Sequence, residues 1–214
     1  LQGHRILVSA GPTQDAIDPV RFISNQSSGK MGYAIAEAAR ARGAQVVLVT
    51  GPTALPVPRG IEVVSVVTAE EMSKALSARL AWSTTVIMAA AVADFRPTHP
   101  ASQKIKKQGR TGQAIDLERT TDILASLSAQ RTTQLMVGFA AETSDLIAHA
   151  KAKLTAKGLD LIVANDVTIE GAGFGSEQNA ATLIDRRGVL TELPLMPKRA
   201  LADEILNRAQ ELLL

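Results

Sequence analysis

A run of hydroxyl, glycine and lysine residues, Ser27-Ser28-Gly29-Lys30, stands at the predicted start of a helix in the first part of the chain. Backbone N–H groups and the helix dipole favour anions at such a position, so this turn is a candidate phosphate site. The alternative is an ordinary serine cap followed by a glycine that fits close to a strand. The connection that leads to it, residues 11–30, far exceeds the roughly 2–6 residues usual between a strand and a helix, and long ordered loops are usually functional.

Lysines form two further candidates. The run Lys104-Ile105-Lys106-Lys107 lies in a segment flanked by prolines and glycines. It is either a solvated loop or a mobile lid that brings cations to a polyanionic substrate. Lys153 and Lys157 are four residues apart on a predicted helix and therefore share a face, although lysines late in a helix also complement its dipole.

Composition excludes several classes of function. The 214 residues include no cysteine, which rules out a disulfide framework, a thiol nucleophile and a Cys-based zinc site. No apolar run approaches the ~20 residues of a membrane span and no secretory signal opens the chain, so we expect no membrane association and a cytoplasmic protein. The net charge of +2 and the aromatic content of 3% argue against nucleic-acid binding. Because the chain begins at Leu1 rather than Met, we expect residues 1–214 to be a single domain excised from a longer polypeptide.

Strand-like and helix-like segments alternate along the chain. Apolar runs predict strands at residues 5–10, 45–50, 61–67, 85–91, 135–141 and 161–164, and a brief strand at 115–118. Helical periodicity predicts helices at residues 31–42, 122–129, 144–157 and from about Lys198 onward. Another helix should begin after Thr68, with Glu71 as its capping-box partner, and Thr121 is expected to cap the helix at 122–129. Residues 165–179 are predicted to be a glycine-rich loop, and residues 181–185 and 189–195 an antiparallel hairpin.

This alternation predicts an α/β fold: a doubly wound, Rossmann-like parallel sheet with helices on both faces and a C-terminal antiparallel hairpin. Ligands of such sheets bind beyond the carboxyl ends of the strands. Polar residues follow the apolar runs directly at Thr13, Thr53, Asp94, Glu142-Thr143 and Asn165-Asp166. Any one of them could be a cap or a turn former, but together they favour a polar site at one edge of the sheet.

The standard nucleotide fingerprints are absent. Met31 follows Gly29-Lys30 where a P-loop needs Ser or Thr, and no G-x-G-x-x-G follows the first strand. Tyr33 is followed four residues later by Glu37 rather than by the lysine of a dehydrogenase pair. The histidines show no metal-ligand spacing, and no Gly-x-Ser-x-Gly elbow is present.

Several motifs taken together identify a family. The chain resembles bacterial phosphopantothenoylcysteine synthetase, often the C-terminal half of a fusion with a flavin-dependent decarboxylase, in motifs that occur in the same order: Gly11-Pro-Thr13, Asp18-Pro-Val-Arg21, Ile23-Ser-Asn25, Ser27-Ser-Gly-Lys-Met-Gly32, Ala90-Ala-Val-Ala-Asp94, Lys104-Ile-Lys-Lys107, Val137-Gly-Phe-Ala-Ala-Glu-Thr143 and Leu161-Ile-Val-Ala-Asn-Asp-Val167. One departure is Thr120-Thr121-Asp122-Ile123, where the family usually has Asn-Pro-Asp-Ile.

The resemblance implies a ligase that joins 4′-phosphopantothenate to L-cysteine with CTP and Mg²⁺. The substrate carboxylate first becomes an acyl-cytidylate with release of pyrophosphate, and the cysteine amine then displaces CMP. The family forms homodimers in which an extended arm helps to build each site, and the hairpin at 181–195 is the candidate for that arm. A nicotinamide-dependent Rossmann-like oxidoreductase and a non-catalytic nucleotide-binding module are the alternatives, and the missing fingerprints count against the first.

The same resemblance assigns residues to the two substrates, while the Mg²⁺ ligands stay unassigned. Asn25 corresponds to the catalytic asparagine and Lys104 to the lid lysine needed in the second step. The expected phosphopantothenate residues are Arg21, Asn25, Ser27, Ser28, Gly29 and Lys30. The expected CTP residues are Met88, Ala89, Ala90, Asp94, Lys104, Thr121, Asp122, Ile123, Leu124, Phe139, Lys153 and Lys157.

Overall fold

Alternating strands and helices build the fold in a computed structural model that describes residues 1–107, 112–142, 145–166, 171–173 and 175–213. The strands are β1 (Arg5–Ala10), β2 (Gln14–Ala16), β3 (Phe22–Ser24), β4 (Gln45–Thr50), β5 (Glu62–Ser65), β6 (Thr85–Met88), β7 (Phe95–Pro97), β8 (Leu117–Arg119), β9 (Leu135–Glu142), β10 (Leu161–Asp166), β11 (Gln178–Asp185) and β12 (Leu190–Pro197). The helices are α1 (Lys30–Ala41), α2 (Ala69–Leu80), α3 (Ile123–Gln130), α4 (Leu146–Ala156) and α5 (Lys198–Leu213).

The main sheet has the order β12-β11-β10-β9-β6-β1-β4-β5. All neighbours from β10 to β5 are parallel, and β11 and β12 join them as antiparallel strands. From β1 the chain moves first to β4 and β5 on one side, and later to β6, β9 and β10 on the other. The strand order therefore reverses between β1 and β6, and a ligand crevice is expected at the carboxyl ends of these two strands.

Both faces of the sheet are covered. Helices α1 and α5 pack with Ile6 and Val8 of β1 on one face, whereas α2, α3 and α4 pack with Leu7 on the other. Because both faces are buried, the central strands are apolar at successive positions instead of alternating with polar residues. Among the described residues, no helix is long and apolar enough to cross a membrane.

The predicted fold class is confirmed, and the bounds of a few helices and strands differ from the prediction. The capping box of Thr68 and Glu71 is present, but Asp122 rather than Thr121 caps α3, because the Asp122 side chain accepts the Ala125 N–H. Strand β10 extends to Asp166 into the predicted loop, of which residues 167–170 and 174 lie outside the described part of the chain, as do Thr143 and Ser144.

Two small hairpins were not predicted, although the brief strand expected at 115–118 overlaps β8. Strands β2 and β3 pair within the long loop before α1, strands β7 and β8 pair after β6, and the two hairpins pack against each other. The C-terminal hairpin, the candidate dimer arm, is present as β11 and β12, and its role as an arm stays a prediction. Its first strand pairs with β10, so the hairpin forms one edge of the main sheet.

Candidate active site

The N-terminus of α1 is held close to the end of β1 by two glycines. A Cβ atom on Gly32 would lie 2.5 Å from the Ala10 Cβ and 2.9 Å from the Ser9 carbonyl oxygen. Gly29 adopts a left-handed conformation with φ 77°, which side chains rarely adopt. A larger residue at position 32 would push the helix away from the strand, and a Cβ at position 29 would lie 2.7 Å from the Thr53 Cγ2 atom, so these glycines set where the first turn of α1 meets the sheet edge.

This first turn does not have the serine cap that was the alternative interpretation. Gly29 occupies the N-cap position, and within the described residues no side chain caps α1. The Ser27 hydroxyl instead accepts the Gly29 N–H at 3.3 Å. The first-turn N–H groups of α1 therefore remain available to an anion, which favours the phosphate-site hypothesis.

A first cavity of about 530 Å³ opens at the carboxyl ends of β6 and β9. All the predicted nucleotide residues except Ala89 and Lys104 line it, and Ala89 lines the neighbouring second cavity. Val92, Phe95, Arg119 and Thr120 also line the first cavity. Sequence reasoning assigned no role to these four: Val92 and Thr120 stand within quoted motifs, whereas Phe95 and Arg119 stand outside them and are brought to the cavity by the β7–β8 hairpin.

Two lysines contribute positive charge to the first cavity, beside Arg119. Lys153 Nζ donates to the Phe139 carbonyl at 2.8 Å, and Lys157 forms an ion pair with Asp122. Although burial raises the pKa of the Asp122 carboxyl, the hydrogen bonds from Lys157 and Ala125 lower it overall. The Asp122 carboxylate thus holds Lys157 at the N-terminus of α3, which faces the same cavity.

A second cavity of about 460 Å³ lies beside the first, under the start of α1. Its lining includes the predicted Asn25, Ser27, Ser28, Gly29 and Lys30. Lys30 itself bonds across the cavity mouth, at 2.8 Å to the Gly175 carbonyl and at 2.5 Å to Glu177. The structure therefore brings together the predicted phosphopantothenate residues, with the exception of Arg21.

The far wall of the second cavity contains residues that the sequence did not reveal. Lys198 is 6% exposed and donates to the carbonyls of Gly173 and Ser176. Burial lowers the pKa of the Lys198 ammonium, and the charge of Lys30 lowers it further. Asn165 and Asn179 also line this wall, and in the described structure the Oδ1 atom of each is buried without a hydrogen-bond partner.

These two amide oxygens are significant because buried acceptors are nearly always satisfied. A bound ligand that presents N–H or O–H donors would satisfy both oxygens. Asn165 could be suspected from its place after an apolar run, but Asn179 lies at the start of β11 and is brought to the cavity only by the antiparallel pairing of β11 with β10.

The two cavities share a wall. Ala90, Val92, Asp94, Phe139 and Lys153 line both of them. Asn25 Nδ2 donates to the Val92 carbonyl at 2.9 Å, which fixes the Asn25 amide against this wall. An amide nitrogen carries two hydrogens, so the bond to Val92 leaves a second N–H for a ligand.

Two predicted residues lie apart from the cavities. Arg21 and Lys104 are not among the described residues that line either one. Arg21 forms an ion pair with Asp18 and also donates to the Ile105 carbonyl, next to Lys104. Thr13, predicted at the sheet edge, is fully buried and accepts the Ala93 N–H, so its role is to hold the loop after β6.

The fold and the site together define a class: an α/β protein with a two-ligand site at the switch point of its sheet, suited to a polyanion and a second substrate. Residues 1–213 match the DNA/pantothenate metabolism flavoprotein C-terminal domain, and the chain belongs to this family.

Similar proteins are known within the family. The chain is 48% identical to the Coenzyme A biosynthesis bifunctional protein CoaBC of Bacillus subtilis, over 97% of this chain and 51% of that protein. It is 45% identical to the corresponding protein of Escherichia coli K12, over 96% of this chain and 52% of that protein. The chain thus spans about half the length of these relatives. The crystal structure of the C-terminal domain of CoaBC is 44% identical, with a TM-score of 0.86, and the match covers 100% of this chain and 97% of that one.

Proposed function

We propose that the chain is a phosphopantothenate–cysteine ligase of coenzyme A biosynthesis that uses CTP as its nucleotide. The observation that carries the proposal is the wall shared by the two cavities, formed by residues such as Val92, Asp94 and Lys153. Two substrates that fill the cavities meet at this wall, as an activation step requires. The family and the names of its relatives support the pathway.

In the first step, a carboxylate oxygen of phosphopantothenate attacks the α-phosphorus of CTP, and the bond to pyrophosphate breaks. The phosphate end of that substrate binds at the first turn of α1, with Lys30 and the N–H groups of the turn. Lys153 and Lys157 offset the charge of the triphosphate in the first cavity. Since an acyl-nucleotide hydrolyses when water enters, the two cavities also have to be covered during the reaction.

In the second step, the amine of L-cysteine attacks the acyl carbon, loses a proton, and displaces CMP. Negative charge develops on the former carboxyl oxygen as the tetrahedral intermediate forms. Asn25, fixed by Val92 at the shared wall, donates its second N–H to this oxygen. Lys104 acts in the same step once its side chain reaches the site.

The residues present fit Mg²⁺. Within the described residues no three His, Cys, Asp or Glu side chains are grouped to hold a metal ion. Magnesium in nucleotide sites usually binds through only one or two carboxylates and the substrate phosphates, and Asp94 on the shared wall provides such a carboxylate. When bound, Mg²⁺ neutralises charge on the triphosphate and the leaving pyrophosphate.

The backbone after β6 supports a base that carries an amino group, as cytosine and adenine do and uracil does not, and the choice of CTP among these rests on the family resemblance. Ser9 Oγ accepts the Ala90 N–H at 3.2 Å, so that donor is already engaged. Carbonyl oxygens of the segment from Met88 to Ala90 then accept hydrogen bonds from the base, and cytosine presents an amino donor to them. At equal concentrations, pyrophosphate release with CTP should clearly exceed release with ATP, GTP and UTP.

The decisive assay measures pyrophosphate in reactions that omit one component at a time. Release that depends on both CTP and phosphopantothenate supports the ligase and excludes both a nucleotide-binding module and an oxidoreductase. Hydride transfer to a nicotinamide without pyrophosphate release would establish the oxidoreductase instead. Equal rates with ATP and CTP would refute the cytosine assignment alone.

The proposal includes a homodimer built through the small hairpins. Phe22 in β3, Phe95 in β7 and Leu117 in β8 are 50%, 46% and 47% exposed, and the hairpins that carry them are packed together. Such clustered apolar exposure is typical of an interface. Replacing Phe22 by Glu should give monomers in light scattering, whereas the same change at the 71% exposed Val57 should not. A monomeric wild type would refute the dimer.

Two further parts of the proposal concern the whole protein. The relatives are about twice as long as this chain and are described as bifunctional, which supports a fused flavin-dependent decarboxylase domain. Residues 1–214 as a single domain, and a location in the cytoplasm, stay predictions. Mass measurement and localisation of the full-length native protein would check both.

A further inference from the structure

A buried carboxylate organises the turn before β3. The Asp18 side chain is fully inaccessible to solvent. Its Oδ1 atom accepts the backbone N–H groups of Val20 and Arg21, each at 2.9 Å, and its Oδ2 atom accepts Arg21 Nε at 3.0 Å. The Arg21 guanidinium holds the pKa of the Asp18 carboxyl well below its usual range, so the group is ionised at neutral pH.

The same pair of side chains binds both backbone groups of one residue in the segment 101–107, here called the lid segment. The Ile105 N–H donates to Asp18 Oδ2 at 3.1 Å, and Arg21 Nη2 donates to the Ile105 carbonyl at 2.9 Å. A second tie lies at the start of the segment, where the Ala101 N–H donates to the Ile17 carbonyl at 2.9 Å. The lid segment is therefore fixed to this turn at two points.

Lys104 precedes the pinned residue directly. Its side chain is exposed and it does not belong to the described lining of either cavity. With the peptide of Ile105 fixed in position and direction, the backbone of the adjoining Lys104 is restrained as well. A cation on a fixed backbone loses less conformational freedom when it binds than one on a free loop.

We propose that Asp18 is a positioning residue for Lys104, acting through Arg21 and the backbone of Ile105. This inference rests on the proposed function, in which Lys104 serves the second step. A turn-forming role for Asp18 would need only the bonds to Val20 and Arg21. The bond from Ile105, 87 positions away in the chain, is the one that connects Asp18 to the lid segment.

The kinetic test combines Asp18→Asn with Lys104→Gln. Asn keeps the size of the side chain and the Oδ1 acceptor, but it weakens the hydrogen bonds with Arg21 and Ile105. Because the loss of one hydrogen bond to a charged group changes an equilibrium constant about tenfold, we expect kcat to fall ~10-fold as the positioned state becomes less populated, and the KM for CTP to change less than ~2-fold. In the Lys104→Gln background, Asp18→Asn should cause almost no further loss, since residues that act as a unit are not additive.

A matched control comes from a different ion pair. Asp203 pairs with Arg42 between α5 and α1, remote from the lid segment. Asp203→Asn should leave kcat within about twofold in both backgrounds, because distant sites behave independently. If the effects of Asp18→Asn and Lys104→Gln multiply instead, Asp18 does not act through Lys104 and the proposal is overturned.

A second measurement needs no catalysis. Ile105→Pro removes the N–H that Asp18 accepts, and Lys106→Pro is its control in the same stretch. Amide exchange in residues 101–107 should accelerate roughly tenfold in Ile105→Pro and in Asp18→Asn, as expected for one lost hydrogen bond, but not in Lys106→Pro. Unchanged exchange in both variants overturns the proposal even if the ligase is active. Faster exchange in a protein that releases no pyrophosphate would confirm the tie to the lid segment and refute the proposed function instead.

Discussion

Replacing Asn25 by Asp tests the proposed mechanism most directly. The substitution keeps the size of the side chain but replaces the N–H₂ group with a carboxylate oxygen, 2.9 Å from the Val92 carbonyl. Two losses follow from this geometry. The bond that anchors the side chain disappears, which costs about 1 kcal/mol of stability. The donor to the developing oxyanion also disappears, which costs about 2.7–4 kcal/mol in the second step, or ~10²–10³ in rate.

The assay separates the two steps. With CTP and phosphopantothenate, the variant should release one burst of pyrophosphate and then stall with acyl-cytidylate bound, even when cysteine is present. Mass spectrometry of the quenched enzyme should detect that intermediate. Gln26→Glu adds a negative charge at the neighbouring position, which also lines the second cavity, and serves as the matched control.

Any of three results would refute the reasoning. Normal turnover of the Asp variant would reduce Asn25 to a loop-shaping residue. A folded variant that gives no burst would place the role of Asn25 in the first step. An equal stall in Gln26→Glu would mean that added charge, and not the missing donor, causes the effect.

Three other predictions concern stability and substrate binding. Gly32→Val should lower the free energy of unfolding by about 1–3 kcal/mol in denaturant titrations, because its side chain would overlap Ala10 across the α1–β1 contact, whereas the open Gly112 should tolerate the same change. Asn179→Leu should raise the KM for phosphopantothenate ~10-fold with kcat nearly unchanged, because it removes a buried acceptor from the second cavity; an unchanged KM would remove Asn179 from the site. The pKa of Asp18 is lower in the folded than in the unfolded protein, so its stabilising contribution is complete above the ordinary value of 3.8 and is lost as the pH falls below it; Asp18→Asn should therefore flatten the acid limb of the stability curve, as measured by thermal unfolding.

Much of the fold could be predicted because the central strands carry a strong local signal. Residues 5–10 and 45–50 are predicted and observed as β1 and β4 with the same bounds. The small hairpins β2–β3 and β7–β8 could not be predicted. Their strands are three residues long, and exposed residues such as Phe22 and Phe95 interrupt any alternation with polar positions. Such short strands are stabilised by contact with each other and not by local sequence preference.

The residues of the candidate site likewise include some that could be predicted from the sequence and some that could not. Motif residues such as Asn25 and Gly29 were identifiable because they stand in sequence runs whose chemistry is recognisable. Lys198 and Asn179 were not, since the sequence predicts an ordinary helix start at Lys198 and a glycine-rich loop that ends at Asn179. Arg21 was identified as a substrate residue, and the structure places its guanidinium on Asp18 and Ile105 instead of in a cavity of its own chain.

From the amino-acid sequence alone, the α/β class could be predicted, together with a candidate anion site at the start of α1 and most of the candidate nucleotide residues that line the first cavity. These predictions depend on the spacing of apolar residues, on the positions of glycines and on short motifs, all of which act within a few residues of the chain. Two facts are visible only in the tertiary structure: the two cavities share a wall at Val92 and Asp94, and Asp18 accepts a hydrogen bond from Ile105. Both results join segments tens of residues apart, and their contacts arise only when strand order and loop packing bring those segments together, which no local pattern specifies.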